Sequence, residues 1–200
     1  MRVSSEPDSA LHSDAARPSR REQILRAAAQ LFAERGSRAV GVDDVGAAVG
    51  VTGPAIYRHF ASKDAMLAEM LVRISERLLA GGTERIAAAG DSPADQLRAL
   101  VEFQVDFALD NPALITVQDR DLGALSDADA RQVRQLQRRY VEEWVGVLAR
   151  LDPTATTAAC RARAHAVFGL INSTPHSARR LGRPALAELL RRMAWAAATG

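Results

Sequence analysis

Between Val42 and Lys63 the chain reads VDDVGAAVGVTGPAIYRHFASK, its densest concentration of groups able to do chemistry. Thr52, Gly53, Pro54 and Ala55 open a short helix expected to run to about Phe60. All four are small, so the N–H groups of a helix N-terminus there can approach a phosphate closely. Arg58, on the same helix, carries a planar fork able to pair bidentately with guanine in the DNA major groove. Tyr57, His59 and Lys63 add a phenol, an imidazole and an ammonium nearby. Each has a plainer reading. Ile56 and Phe60 belong to a core, Tyr57 can be a packing residue, His59 a satisfied surface histidine and Arg58 a solvated charge.

Other chemistries find little support. There is no G-x-S-x-G, phosphate-binding loop, dinucleotide fingerprint or H-E-x-x-H. His12, His59, His165 and His176 lack metal-ligand spacing, and the acids are mostly scattered along solvent-facing helical positions. The single cysteine, Cys160, leaves no internal disulfide and no cysteine-rich zinc site; it reads as a small buried apolar residue. The expectation is a non-enzyme with no catalytic residues, metal or cofactor.

The elements that must position these groups are helical. Alanine and leucine dominate, and β-branched and aromatic residues are few. Residues 1–18 read as a disordered arm whose basic end (Arg17, Arg20, Arg21) either touches DNA or is merely solvated. Ser19 and Glu22 form a capping box for a first helix that Gly36 stops. A second helix spans about Val42 to Val49, ended by Gly50. Thr52 caps a third, with Pro54 in its first turn. The tight Gly50-Val51 turn makes the last two a helix-turn-helix.

Ser62 caps a longer helix from Lys63 to about Leu79, where Gly81-Gly82 is expected to fray or bend it. Further helices are expected from Ser92-Pro93 to Asn111-Pro112 and from about Ala113 to Asp119. Others run from Ser126 to Leu151, from about Thr154 to at least Thr174 with a disturbance at Pro175, and from about Pro184 to Ala197. That gives an all-α fold of about nine helices and no strand. The net charge of +2 is too small to announce a nucleic-acid partner, so any basic footprint is local. No run of about twenty apolar residues exists, nor an apolar N-terminal stretch like a signal peptide's, so a cytoplasmic protein with no membrane partner is expected.

The quoted segment resembles the DNA-binding signature of the TetR family, in which a Gly-Val-Ser/Thr turn leads into a short helix ending in Tyr-x-His-Phe. A helix beginning with lysine follows. ILRAAAQLFAERG likewise resembles that family's first helix, and the likeness is specific over roughly Arg20 to Leu71. It implies a DNA-binding tip of Thr52, Gly53, Pro54 and Ala55, with Pro54 against a thymine methyl. It also implies phosphate contacts from Tyr57, His59 and Lys63, and a base contact from Arg58. Two positions depart from the pattern. Gly41 stands where a Ser or Thr often caps the second helix and touches phosphate. Asp43 and Asp44 suit the helix dipole but repel phosphate.

The same resemblance implies a transcriptional regulator, a repressor that binds a palindromic operator as a homodimer and is released by a small molecule. The chain then divides into the arm (1–18), a DNA-binding domain (19–62) and a ligand-binding and dimerisation domain (63–200). The last two long helices would pack against their symmetry mates, with Ala158, Ala162, Ala166, Gly169, Ser173, Phe168, Leu170, Leu189, Met193 and Trp195 as candidate faces. Candidate effector-binding residues are Phe103, Gln104, Phe107, Ile115, Gln118, Tyr140, Trp144, His165, Phe168 and Asn172. Asp119-Arg120-Asp121 reads as an internal ion-pair network or as a grip on a polar ligand group. The segment VQDRDLGALSDADARQVRQLQRRYVEEWV resembles actinobacterial members that answer to acyl-CoA thioesters, which implies a hydrophobic, acyl-CoA or lipid-like effector. Binding would displace the fourth helix and respace the recognition helices. The competing reading, a helical protein-interaction module without DNA binding, leaves Tyr57-Arg58-His59-Phe60 without a reason.

Overall fold

The computed structural model describes residues 18–174 and 181–200. Most of the N-terminal arm with Arg17 and His12, the disturbance at Pro175, and His176 lie outside the described residues. Among the described residues there are nine α-helices, a short 3-10 turn (Leu122–Ala124) and no strand. The helices are α1 (Arg20–Arg35), α2 (Val42–Ala48), α3 (Gly53–Ile56), α4 (Lys63–Ala88), α5 (Pro93–Asp110), α6 (Pro112–Asp121), α7 (Asp127–Leu151), α8 (Thr157–Asn172) and α9 (Arg183–Thr199).

Local chemistry sets most of the boundaries. The Ser19 hydroxyl accepts from the Glu22 N–H at 3.2 Å while the Glu22 carboxylate accepts from the Ser19 N–H at 2.7 Å, the expected capping box. Gly36 adopts φ +88° and turns the chain out of α1. Ser62, Ser92 and Ser126 cap α4, α5 and α7 through their hydroxyls. Thr156 caps α8, which therefore starts at Thr157 rather than near Thr154, whose hydroxyl donates to Asp152 Oδ1 at 2.6 Å in the preceding turn.

Two expectations are corrected. α4 runs without a break through Gly81-Gly82 for 26 residues. A Cβ on Gly81 would collide with the Phe103 ring, and one on Gly82 would lie 2.5 Å from Tyr140 Cε2. The glycines therefore admit the rings of α5 and α7 against the helix, and this packing offsets a propensity cost of about 1 kcal/mol each. α3 is shorter than expected. It ends at Ile56, and Tyr57–His59 form a turn that lets Phe60 bury beside Ile56 before α4 begins.

α4 lies at the centre, packed on α7 and α5, with α8 and α9 closing the far side. Trp144, Leu97, Leu100, Leu71, Leu148 and Ile171 are fully enclosed there. Ile24, Phe32, Val45, Ile56, Phe60 and Leu67 form the continuation of this core under α1–α3. Cys160 is buried. No helix among the described residues is long and apolar enough to cross a membrane.

Candidate DNA interface and effector pocket

The α2–turn–α3 unit is held by backbone rather than side chains. Gly50 takes φ +71°, and the Val51 N–H donates back to the Gly46 carbonyl at 2.9 Å. The turn lies so tightly on α2 that a Cβ on Gly46 would be 2.8 Å from the Val51 carbonyl oxygen. Thr52, Pro54, Tyr57 and Arg58 are exposed at this end of the molecule, Tyr57 to 56%. Arg58 makes no hydrogen bond or ion pair with any described residue. Ala55, His59 and Lys63 are half-buried, and Lys63 Nζ donates to the Arg38 carbonyl at 3.4 Å. Gly53 is buried; a Cβ there would run into the Asp43 carboxylate, so it serves close packing at the tip rather than exposed contact.

The two departures from the family pattern have local roles. Asp44 Oδ2 accepts from the Gly41 N–H at 2.7 Å, tying the start of α2 from inside the helix, while the first-turn N–H groups take no side-chain cap from Gly41. Asp43 packs at the start of α3. Arg20 and Arg21, expected near DNA or in solvent, are instead structural. Arg20 donates to the Val49 carbonyl at 2.7 Å. Arg21 bonds the His59 carbonyl, pairs with Glu69 of α4 and lies 4.2 Å over the Phe60 ring. It thereby ties α1, the segment after α3 and α4 together, and holds the Glu69 carboxyl below its usual pKa range, chiefly through that hydrogen bond. Nothing local in the sequence marks this role, because the partners lie 38 and 48 residues away.

A second site lies within the larger helical unit, a cavity of about 340 Å³. Of the ten candidate residues, Gln104, Gln118, Tyr140, His165, Phe168 and Asn172 come together around it. Four do not line it. Phe103 packs on Gly81, Trp144 and Ile115 are enclosed in the core, and Phe107 faces a separate cleft beneath Arg77. Asp119, the one member of the Asp119-Arg120-Asp121 segment to line it, and Leu78, Leu122, Gln137 and Val141, which had not been expected there, complete the wall. Tyr140 and Phe168 stack with ring centres 5.6 Å apart and planes 28° from parallel. The Tyr140 hydroxyl donates to Gln104 Oε1 at 2.9 Å, and burial pushes its pKa well above the usual phenol range. Gln118 Oε1 and Asn172 Oδ1 are buried with no hydrogen-bond partner. Leaving such atoms unpaired costs about 1–3 kcal/mol apiece.

The separate cleft, about 730 Å³, runs between α1, α4, the end of α5 and the start of α6. Arg26, Arg73 and Arg77 mix there with Glu22 and Asp110 on solvent-exposed positions, and Arg73 pairs with Glu69 at 3.0 Å.

Between cavity and interface sits the Asp119-Arg120-Asp121 segment at the end of α6. Asp121 is 6% exposed, and its Oδ1 accepts from the Ser37 hydroxyl at 2.8 Å, just beyond the end of α1. Arg120 contacts Asp121 Oδ2 at 3.1 Å and donates to the carbonyls of Phe32 and Ala33 at the C-terminal end of α1. The ion-pair reading of this segment is the observed one, and it ties the end of α6 to the end of α1. Gln118, Asp119 and Leu122, which flank these two residues, all line the cavity.

Comparison with known proteins accords with this arrangement. The model of bacterial regulatory proteins of the tetR family matches residues 24–70. A model of the tetracyclin repressor-like C-terminal domain matches residues 90–199. The HTH-type transcriptional repressor KstR2 of Rhodococcus jostii is 35% identical over 131 residues, 64% of this chain and 63% of that protein. The HTH-type transcriptional activator FasR of Mycolicibacterium smegmatis is 36% identical over 91 residues, 46% of this chain and 41% of that protein. The matches thus span less than two thirds of either relative. The structure of the ketosteroid regulator KstR2 of Mycobacterium tuberculosis superposes with a TM-score of 0.78 at 22% identity, covering 92% of this chain and 95% of that one. With the helix-turn-helix at one end, the helical unit behind it and a family model covering each, the chain belongs to the TetR family of bacterial regulatory proteins.

Proposed function

We propose that this chain is a transcriptional repressor that binds a palindromic operator as a homodimer and releases it when a small molecule fills the cavity at Tyr140 and Phe168. The observation that carries the DNA-binding reading is the exposed, unpartnered Arg58 beside Tyr57 on a turn fixed by Gly46 and Gly50. A large exposed phenol and a free guanidinium on rigid backbone are suited to an anionic partner. In this reading Thr52, Pro54, Ala55 and Arg58 meet base edges, and Tyr57, His59 and Lys63 meet phosphates. Gly53 keeps the tip compact. The DNA-binding domain ends near Ser62, and residues 63–200 sense and dimerise.

The experiment is fluorescence anisotropy against a palindrome selected from random DNA, at two salt concentrations. Binding is expected to fall steeply with salt. Arg58→Ala is expected to weaken it about 10- to 100-fold and relax specificity at one base pair, the size of a lost bidentate contact. Recovery of no palindrome, or salt-insensitive binding, overturns the reading in favour of a helical interaction module. Repression rather than activation is supported by KstR2 and opposed by FasR. A reporter driven from the selected operator decides it.

The dimer reading rests on α8 and α9. Ala158, Ala162, Ala166 and Gly169 are exposed along one face of α8, opposite the buried Cys160, Ala164, Val167 and Ile171. Leu189 is half-buried and Met193 is 46% exposed on α9. Small side chains permit close approach of a second copy. Phe168 lines the cavity instead, and Trp195 packs under Arg98 at 5.1 Å. Ala162→Arg is expected to turn a dimer into a monomer by light scattering and to weaken palindrome binding at least tenfold, half-site binding being retained. A monomeric parent protein overturns the dimer.

The expectation of a lipid-like or acyl-CoA effector rests on resemblance alone. The described residues lining the cavity include no lysine or arginine for phosphate or carboxylate.

A further inference from the structure

We propose that the effector is a compact, uncharged ring compound with at least two hydroxyl groups, rather than a carboxylate, a phosphate ester or a long acyl chain. The inference rests on reading the Tyr140–Phe168 cavity as the effector site. Size, charge and hydrogen bonding point to the same class.

The cavity is about 340 Å³, near the lower end of the ~300–1,000 Å³ typical of small-molecule sites. That space suits one ring system. The Tyr140 and Phe168 rings, stacked on each other, make part of its wall aromatic.

Asp119 is the only acid among the described lining residues, and both it and His165 are exposed at the edge. An anion inside would lose water with no lysine or arginine among the described lining residues to offset the loss. An uncharged ligand escapes that penalty.

Gln118 Oε1 on α6 and Asn172 Oδ1 on α8 are buried and unpaired. A saturated chain would shield both atoms from water and bond neither. A hydroxyl donates and accepts, so it satisfies either end of a side-chain amide whichever way the amide is turned. One hydroxyl for each of the two amides, carried on a ring between them, completes both. The Tyr140 hydroxyl is already engaged by Gln104 and need not be served by the ligand.

The test is a thermal-shift and ligand-observed NMR screen of the full chain. The library is divided equally between uncharged hydroxylated rings and carboxylates or acyl chains. Resorcinol, 4-hydroxybenzyl alcohol, octanoate and octanoyl coenzyme A are named members. Hydroxylated rings are expected to raise the Tm by about 3–5 °C at ten times their Kd. Gln118→Leu or Asn172→Leu is expected to weaken them at least tenfold. The ligand-free double variant is expected to melt higher than the parent, because two unpaired buried groups are gone; a purely structural role for the amides would lower its Tm and overturn the proposal. Binding by octanoate or octanoyl coenzyme A that Phe168→Ala abolishes, with no hydroxylated ring binding, overturns the ligand class and leaves the cavity as effector site. Binding that ignores all three substitutions, or none from either half of the library, overturns the ligand class and the cavity together.

Discussion

Gly46→Val is expected to abolish specific operator binding, a loss of at least 100-fold by anisotropy, while the helix content by circular dichroism stays near that of the parent. A Cβ at this position meets the Val51 carbonyl oxygen at 2.8 Å, the Thr52 carbonyl carbon at 3.2 Å and the Gly53 nitrogen at 3.3 Å. All three are backbone atoms, so no rotamer change relieves the overlap. The turn must lift off α2, and α3 lifts with it. Overpacking of this kind costs about 1–3 kcal/mol, too little to unfold a chain whose main core lies around α4, α5 and α7. It is enough to move the exposed tip by a large fraction of an ångström or more, and base readout tolerates little displacement. Gly46→Ala should show the same defect in smaller measure. Unchanged binding by the valine variant would mean that the α2–α3 geometry is not what meets DNA.

Asp121→Ala is expected to loosen the α1–α2 connection and to weaken or abolish effector-driven release of the operator. Its carboxylate is the acceptor for the buried Ser37 hydroxyl, and it is the partner that orients Arg120 across the end of α1. Removing it strands the Ser37 hydroxyl, at a cost of about 1–3 kcal/mol. A Tm drop of about 2–10 °C follows for a chain of this length. Hydrogen exchange should report it locally, as faster exchange at the amides of residues 36–41 with α7 and α8 unchanged. The distinguishing result is functional. Release of operator by a ligand found in the screen should be impaired even though the variant still binds that ligand. Equal exchange in the two proteins, or full release by the variant, would mean that the segment is a passive surface pair.

Much of this architecture was legible in the residues because its signals are local. Ser19 with Glu22, Ser62, Ser92 with Pro93, and Ser126 each mark a helix start within a four-residue window, and Gly36 and Gly50 mark stops. Where a residue's role depends on a distant neighbour, local reading failed. Gly81 and Gly82 carry the signature of a helix break, and only Phe103 and Tyr140 across the packed interface show why they are tolerated. Phe103, Phe107 and Trp144 were as plausible for the cavity as Phe168, since an aromatic at helical spacing does not reveal which neighbouring space its face adjoins. Gln118 and Asn172 were better clues, because polar side chains in apolar stretches require a partner. Ser37 was invisible: its partner Asp121 is 84 residues away.

The unbroken α4 has a mechanical consequence. Lys63, at the DNA end, and Leu78, in the cavity wall, share one rod, and fifteen residues of α-helix separate them by about 22 Å. A tilt of about 5° about the cavity end carries the Lys63 end through ~2 Å by simple leverage over that helical length. In a two-fold dimer the displacements add, so the two recognition elements would shift by up to ~4 Å against a groove repeat of about 34 Å. On the proposed dimeric, effector-released mechanism, a ligand would need only to rotate a stiff arm slightly to put both reading heads out of step with their half-sites, and a bend at Gly81-Gly82, had one existed, would have lain beyond the pivot and left that arm intact.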